Sequence, residues 1–208
     1  MRLYDERADM TGMTYVRYLL WALVAAAATF AAVIIVQQRE GNVTVLPQIK
    51  LGIPFTLVDQ NNAPITEAAL SGKPFVLFFG FTNCPEVCPT TLFELTNWFD
   101  TLGDEAKDVR GFFVSVDPER DTPDILKTYL SSFPRITGIT GDPVEAEKLR
   151  TAWKIYAKKV PLDGGGYTMD HTASIFLVKA DGGLMGTISY GENADTAIAK
   201  LKRLAKGT

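Results

Sequence analysis

Lys73-Pro-Phe-Val-Leu-Phe-Phe-Gly-Phe-Thr-Asn-Cys84-Pro-Glu-Val-Cys88-Pro89 is the stretch on which the fold of this chain turns. Phe75 to Phe79 is an unbroken apolar run, the mark of a strand covered on both faces rather than one wetted on alternate residues. Both cysteines stand directly before a proline, and a pre-proline residue is pushed out of the helical region, so Phe81 to Cys88 reads as a kinked turn. From about Pro89 to Leu102 the apolar residues Leu92, Leu95, Phe99 and Leu102 share one helical face, and Gly103 stops the helix. Buried strand, tight turn and amphipathic helix make half of a strand–helix–strand unit.

The pattern repeats downstream. Gly111 to Val116 is a second buried strand, and Thr122-Pro123 supplies a cap and first residue for a helix to about Ser131. Ile136 to Thr140 reads as a short, edge-like strand. Asp142-Pro143, with Glu145 three residues after the cap, opens a helix to about Ala157. Pro161 to Gly166 reads as a flexible insertion before His171. Ser174–Val178 and Leu184–Ser189 form a hairpin across Ala180-Asp-Gly-Gly183, and a last helix spans about Asp195 to Lys206. Upstream, Phe55–Val58 and Ile65–Thr66 flank a turn as a smaller hairpin. Alternating strands and helices imply a mostly parallel sheet with right-handed crossovers and an antiparallel edge. This is the α/β arrangement of a thioredoxin-like fold, a mixed sheet flanked by helices over residues 54–208.

Ahead of that domain, Leu19 to Val36 is apolar apart from Thr29. At 1.5 Å per residue it covers about 27 Å, close to the hydrocarbon thickness of a bilayer. Residues 18–38 are therefore expected to be an N-terminal transmembrane helix, with 1–17 a short cytoplasmic N-terminus and 39–53 a tether. A cleaved signal peptide is the rival, but its apolar region is usually shorter and its small-residue cleavage site would fall inside the run. Arg2, Arg7 and Arg17 precede the span and only Arg39 follows closely, which puts the N-terminus inside and the C-terminal domain outside. Asp5, Glu6 and Asp9 argue against a mitochondrial transit peptide. The expectation is a single-pass protein of a bacterial inner membrane with its domain in the periplasm.

Composition narrows the chemistry. The 208 residues carry a net charge of −3, so no basic surface points to nucleic acid. With two cysteines and a single histidine, a disulfide-dense scaffold and a four-cysteine zinc site are excluded. Cys84 and Cys88, beside a helix start, gain thiolate character from the positive end of the dipole. They can chelate one soft metal or close into a disulfide, though so small a loop gains little from a purely structural bridge. His171 precedes a strand, over the sheet. Two thiolates and an imidazole suit Cu(I), whereas zinc wants a fourth ligand. Asp170 is a candidate to orient the imidazole, or equally a turn cap. Asp117 and Asp121 are explained as turn and cap residues that also stand where they could line the site.

Phe81-Thr-Asn-Cys84-Pro-Glu-Val-Cys88-Pro89, Ser115-Val-Asp-Pro-Glu-Arg-Asp-Thr-Pro123 and Asp170-His171-Thr before Ile175-Phe-Leu-Val178 together resemble the Sco/SenC family of copper chaperones of cytochrome c oxidase assembly. The resemblance covers about residues 50–205. It implies one copper ion, Cu(I), held by Cys84, Cys88 and His171. It also implies as partner the binuclear copper site of oxidase subunit II, with other periplasmic copper chaperones as further partners. The enzymatic alternative is a periplasmic thiol–disulfide oxidoreductase working through Cys84 and Cys88, which needs no histidine. A peroxidase is a distant third.

Overall fold

The computed structural model describes residues 15–30 and 54–207, which fall in two compact units, 1–46 and 47–208. In the first, residues 15–30 form a helix, α1, with its side chains exposed. Among the described residues no helix is long and apolar enough to cross a membrane. Of the expected span 18–38, residues 31–38 lie outside the described ones, as does the tether 39–53.

The second unit is built on a seven-stranded sheet. Its strands are β1 (Leu57–Asp59), β2 (Pro64–Ile65), β3 (Phe75–Gly80), β4 (Arg110–Ser115), β5 (Ile136–Thr140), β8 (Ser174–Val178) and β9 (Leu184–Ser189). They lie in the order β2-β1-β5-β4-β3-β8-β9. β3, β4 and β5 run parallel, while β8 lies antiparallel to β3 and β1 antiparallel to β5. β5, expected near an edge, is interior, because the small upstream hairpin pairs with it through Val58 and Thr140. Between the strands run α2 (Val87–Leu102), α3 (Pro123–Tyr129), α4 (Pro143–Ala152) and the C-terminal α5 (Ala194–Lys206).

Every residue of β3 is buried. Alternation places Phe75, Leu77 and Phe79 on one face and Val76, Phe78 and Gly80 on the other. Trp153, just past α4, packs on Phe79 and Phe176 of the first face, with ring centroids 6.2 and 5.7 Å away. On the second face Leu126 of α3 and Leu130 close over Gly138, where a β-carbon would lie 2.6 Å from the Leu130 side chain, and Gly111 leaves room for the Ile136 side chain of β5. Glycine here lets helix and sheet approach closely.

Helix starts follow the local chemistry. The Asp142 carboxylate accepts the backbone N–H groups of Val144 and Glu145, and the Thr122 hydroxyl accepts that of Ile125. α4 ends at Ala152, earlier than its pattern implied, because Lys154 takes a left-handed φ of 57° and the Ile155 N–H turns back to the Arg150 carbonyl. The released residues enter a feature that the local sequence pattern does not announce. β6 (Ala157–Pro161) and β7 (Tyr167–His171) pair antiparallel in a two-stranded ribbon of their own, and the expected flexible insertion supplies its turn.

Candidate metal centre

The loop after β3 carries Cys84, and the first turn of α2 carries Cys88. Cys88 is helical although it precedes Pro89, contrary to the kinked turn expected of it. Proline costs little there, since the first N–H groups of a helix have no intrahelical acceptor anyway. The N-cap residue, Glu86, makes no side-chain cap bond. Instead the Cys84 sulfur accepts the Cys88 N–H at 3.3 Å, so one thiol takes a capping role at the start of the helix bearing the other. His171 arrives from the end of β7, its Nε2 3.6 Å from the Cys88 sulfur. Among the described residues, the donor atoms of Cys84, Cys88 and His171 all lie within 4.8 Å of one another.

The three differ in access. Cys88 is buried, whereas Cys84 and His171 are half-buried at the surface. The Cys84 thiol is pulled down to about 4, first by the hydrogen bond from the Cys88 thiol and against the effect of burial, with help from His171 and from the backbone of Cys88 and Glu86. The Cys88 thiol is pushed up, because it donates to Cys84 and sits in an apolar pocket. The reduced pair is thus one thiolate and one thiol sharing a proton.

The imidazole is held in a tautomer fit for a metal. Its Nδ1 lies 2.9 Å from the Thr172 carbonyl oxygen, which can only accept. Nδ1 therefore carries a proton, and Nε2 is the ring nitrogen turned toward the sulfurs and available to a metal. The orienting partner is this carbonyl and not Asp170, which is exposed and faces Lys158 across the ribbon. Phe81 meets the ring edge-on at 5.6 Å and Phe78 at 6.4 Å. Two sulfurs and a presented imidazole nitrogen form a donor set matched to a soft metal ion.

Asp117 and Asp121 stand beside the site without entering it. Asp121 is fully buried. Its carboxylate accepts the Thr82 hydroxyl at 2.6 Å, the Thr82 N–H at 3.1 Å and the Ser115 hydroxyl at 2.6 Å, pinning the loop two residues before Cys84. Burial raises its carboxyl above the ordinary value, and the Ser115 and Thr82 bonds pull it part of the way back. Asp117, 1% exposed, accepts the Tyr167 hydroxyl at 2.8 Å and binds the Arg120 guanidinium. Sequence reasoning missed Thr82, Ser115, Tyr167, Thr172 and Gly80. Gly80 lies under the site, where a β-carbon would sit 2.9 Å from the Cys88 sulfur.

Fold and site together define a thioredoxin-like protein whose cysteine loop and histidine ribbon converge on one soft-metal position. The chain belongs to the SCO1/SenC family, which it matches over residues 44–206. It is similar to copper-bound ScoI of Bradyrhizobium japonicum, with 49% identity and a TM-score of 0.68, covering 74% of this chain and 98% of that one. It also resembles BsSco, a member of the Sco family of cytochrome c oxidase assembly proteins in which a disulfide switch has been identified. That likeness has 28% identity and a TM-score of 0.63, over 79% of this chain and 98% of that one. Yeast mitochondrial SCO2 is 36% identical over 159 residues, 74% of this chain. The aligned part spans 52% of the yeast protein.

Proposed function

We propose that this chain is a copper chaperone of cytochrome c oxidase assembly. It holds one Cu(I) through Cys84, Cys88 and His171 and passes it to the binuclear copper site of oxidase subunit II. Residues 1–17 are cytoplasmic, 18–38 anchor the chain in a bacterial inner membrane, 39–53 form a tether, and 54–208 are the copper-binding domain in the periplasm. Other periplasmic copper chaperones are further partners.

The observation that carries this reading is the convergence of the chain's two cysteines and its single histidine within 4.8 Å. Donors so scarce meet from two segments 83 residues apart in sequence, and the imidazole presents the nitrogen a metal needs. Copper bound to the similar ScoI protein supports the choice of ion. Cys84 and His171 reach the surface while Cys88 is buried, so an acceptor thiolate approaches the cargo from the Cys84 side, and Cys88 is the last donor to let go.

An anaerobic Cu(I) titration of the reduced full-length chain against a chromogenic chelator tests this. The expected result is one tight equivalent, weakened by His171→Ala and abolished by Cys84→Ala. Weak, non-stoichiometric binding indifferent to His171 sinks the proposal. For the topology, an alkaline phosphatase fusion after Thr208 is expected to be active in cells, and an inactive fusion refutes a periplasmic domain.

One observation favours a second reading, a thiol–disulfide oxidoreductase. The Cys84 thiol, drawn down to about 4, stands beside a protonated Cys88, an arrangement that pairs an attacking with a resolving sulfur. Dithiol exchange that survives His171→Ala in a chain that binds no copper selects this reading.

A further inference from the structure

We infer that Arg120, acting with Tyr167, is a positioning residue that latches the histidine ribbon to the cysteine loop and so sets the hold of His171 on the metal; the inference rests on the three-donor reading above. A two-stranded ribbon is at best marginally stable by itself, and among the described residues β6–β7 pairs with no other strand. Its setting therefore depends on whatever ties it to the sheet.

Arg120 is the tie on the cysteine side, whereas Arg150 of α4 donates to the Ala157 carbonyl at 3.4 Å on the other strand. The Arg120 Nη1 donates to the Tyr167 carbonyl at 2.8 Å, its Nε binds the Asp117 carboxylate, and its guanidinium lies 3.8 Å from the centre of the Tyr167 ring. The Tyr167 hydroxyl returns to the same Asp117 at 2.8 Å. A Lys159–Glu119 pair at 2.6 Å adds a weaker, exposed link. The Arg120 guanidinium carbon also lies over Phe81, 5.9 Å from its ring centre. Phe81 is the residue whose ring meets the His171 imidazole and whose carbonyl accepts the Cys84 N–H. Arg120 thus touches both arms of the site at once. A hydrogen-bonded chain runs beside it, from Thr82 to Asp121, to Ser115 and to the Asp117 N–H.

Side-chain alternation turns Tyr167, Met169 and His171 toward the same face of β7. At about 3.3 Å per residue Tyr167 lies about 13 Å along the strand from His171, so holding it fixes the roll of the ribbon and with it the aim of Nε2. The planar fork and the stack are what do this. Lysine would keep the charge and lose both.

The test is a double-mutant cycle on Cu(I) affinity of the full-length chain, combining Arg120→Lys with His171→Ala. The expected result is a loss of about tenfold for Arg120→Lys when His171 is present, as for other residues that orient a ligand, and none when it is absent. In the copper-free protein, amide exchange at Val160 and Thr168, a pair bonded across the ribbon, is expected to quicken about tenfold while Phe78 and Phe113 of the central strands stay unchanged. Tyr167→Phe keeps the stack and removes only the hydroxyl bond, so a smaller loss in the same sense is expected, and it carries the test if Arg120→Lys does not fold. A loss of equal size in both backgrounds, no loss, or unchanged ribbon exchange overturns the latch alone. No effect of His171→Ala on Cu(I) overturns the three-donor reading and the latch with it.

Discussion

Replacing Gly80 by alanine tests how closely the sheet and the Cys88 sulfur are fitted. A β-carbon at residue 80 would lie 2.7 Å from Cε2 of Phe113 and 2.9 Å from the Cys88 sulfur, where ordinary contact begins at 3.4 Å. Relief thus requires shifts of about 0.7 Å and 0.5 Å against two fully buried neighbours. Overpacking of this kind costs about 1–3 kcal/mol. The phenyl ring cannot yield without disturbing Phe78 and Tyr129, whose ring centroids lie 6.0 and 5.8 Å from its own. The sulfur yields more readily, and moving it displaces a metal donor. Urea unfolding of Gly80→Ala is expected to show that loss with an unchanged slope, and the chelator competition a fall of about tenfold or more in Cu(I) affinity. Adding Phe113→Leu should recover part of the stability without the affinity, because the contact with sulfur remains. Gly186→Ala, whose β-carbon meets nothing within 4 Å, is the control and is expected to be neutral or slightly stabilising. A Gly80→Ala chain that matches the parent in both stability and copper affinity would refute the reasoning.

The reactivity of Cys84 toward iodoacetamide is expected to stay level from pH 6 to 9, because its thiol is already ionised above about 4; a titration midpoint near 9 in the copper-free chain contradicts this. The folded value lies below the unfolded one, so the thiolate's contribution to stability is present above about 9 and is lost as pH falls toward about 4. Cys88→Ala removes the largest cause and should move the midpoint upward. Asp121 has the opposite sign. Its folded carboxyl lies above the ordinary value, so its contribution is complete below about 3.8 and declines as pH rises through the folded value. Asp121→Asn should therefore gain on the parent chain with rising pH, and Asp121→Ala, which strands buried hydroxyl and N–H donors, is expected to lose about 1–3 kcal/mol in denaturant unfolding at pH 7. Lys154→Gly, at a left-handed φ of 57°, should raise stability by about 1 kcal/mol, seen as an increased Tm.

Much of the fold was legible because it is encoded locally. The apolar run of β3, the caps at Thr122 and Asp142 and the spacing of Leu92, Leu95 and Phe99 each depend on residues within a turn or two of themselves. The donors were legible for a different reason, since in a chain with two cysteines and one histidine scarcity singles them out. Where the pattern misled, a distant partner decided. Nothing near Ile136 announces that β1 will pair with β5 and make it interior, and the glycines at 164–166 read as slack until strands form on either side of them.

Composition and order in the sequence thus determine the α/β plan, the cysteine loop at the end of a buried strand and the identity of three soft donors. Only the tertiary structure decides how those donors are held. Asp117 and Asp121 become ties between two arms, Thr172 replaces Asp170 as the partner of the imidazole, and Arg120 and Tyr167 join segments 47 residues apart. The physical reason is that a side chain's hydrogen-bond partners depend on which buried groups the folded sheet brings within about 3 Å, and that distance is set by packing between elements.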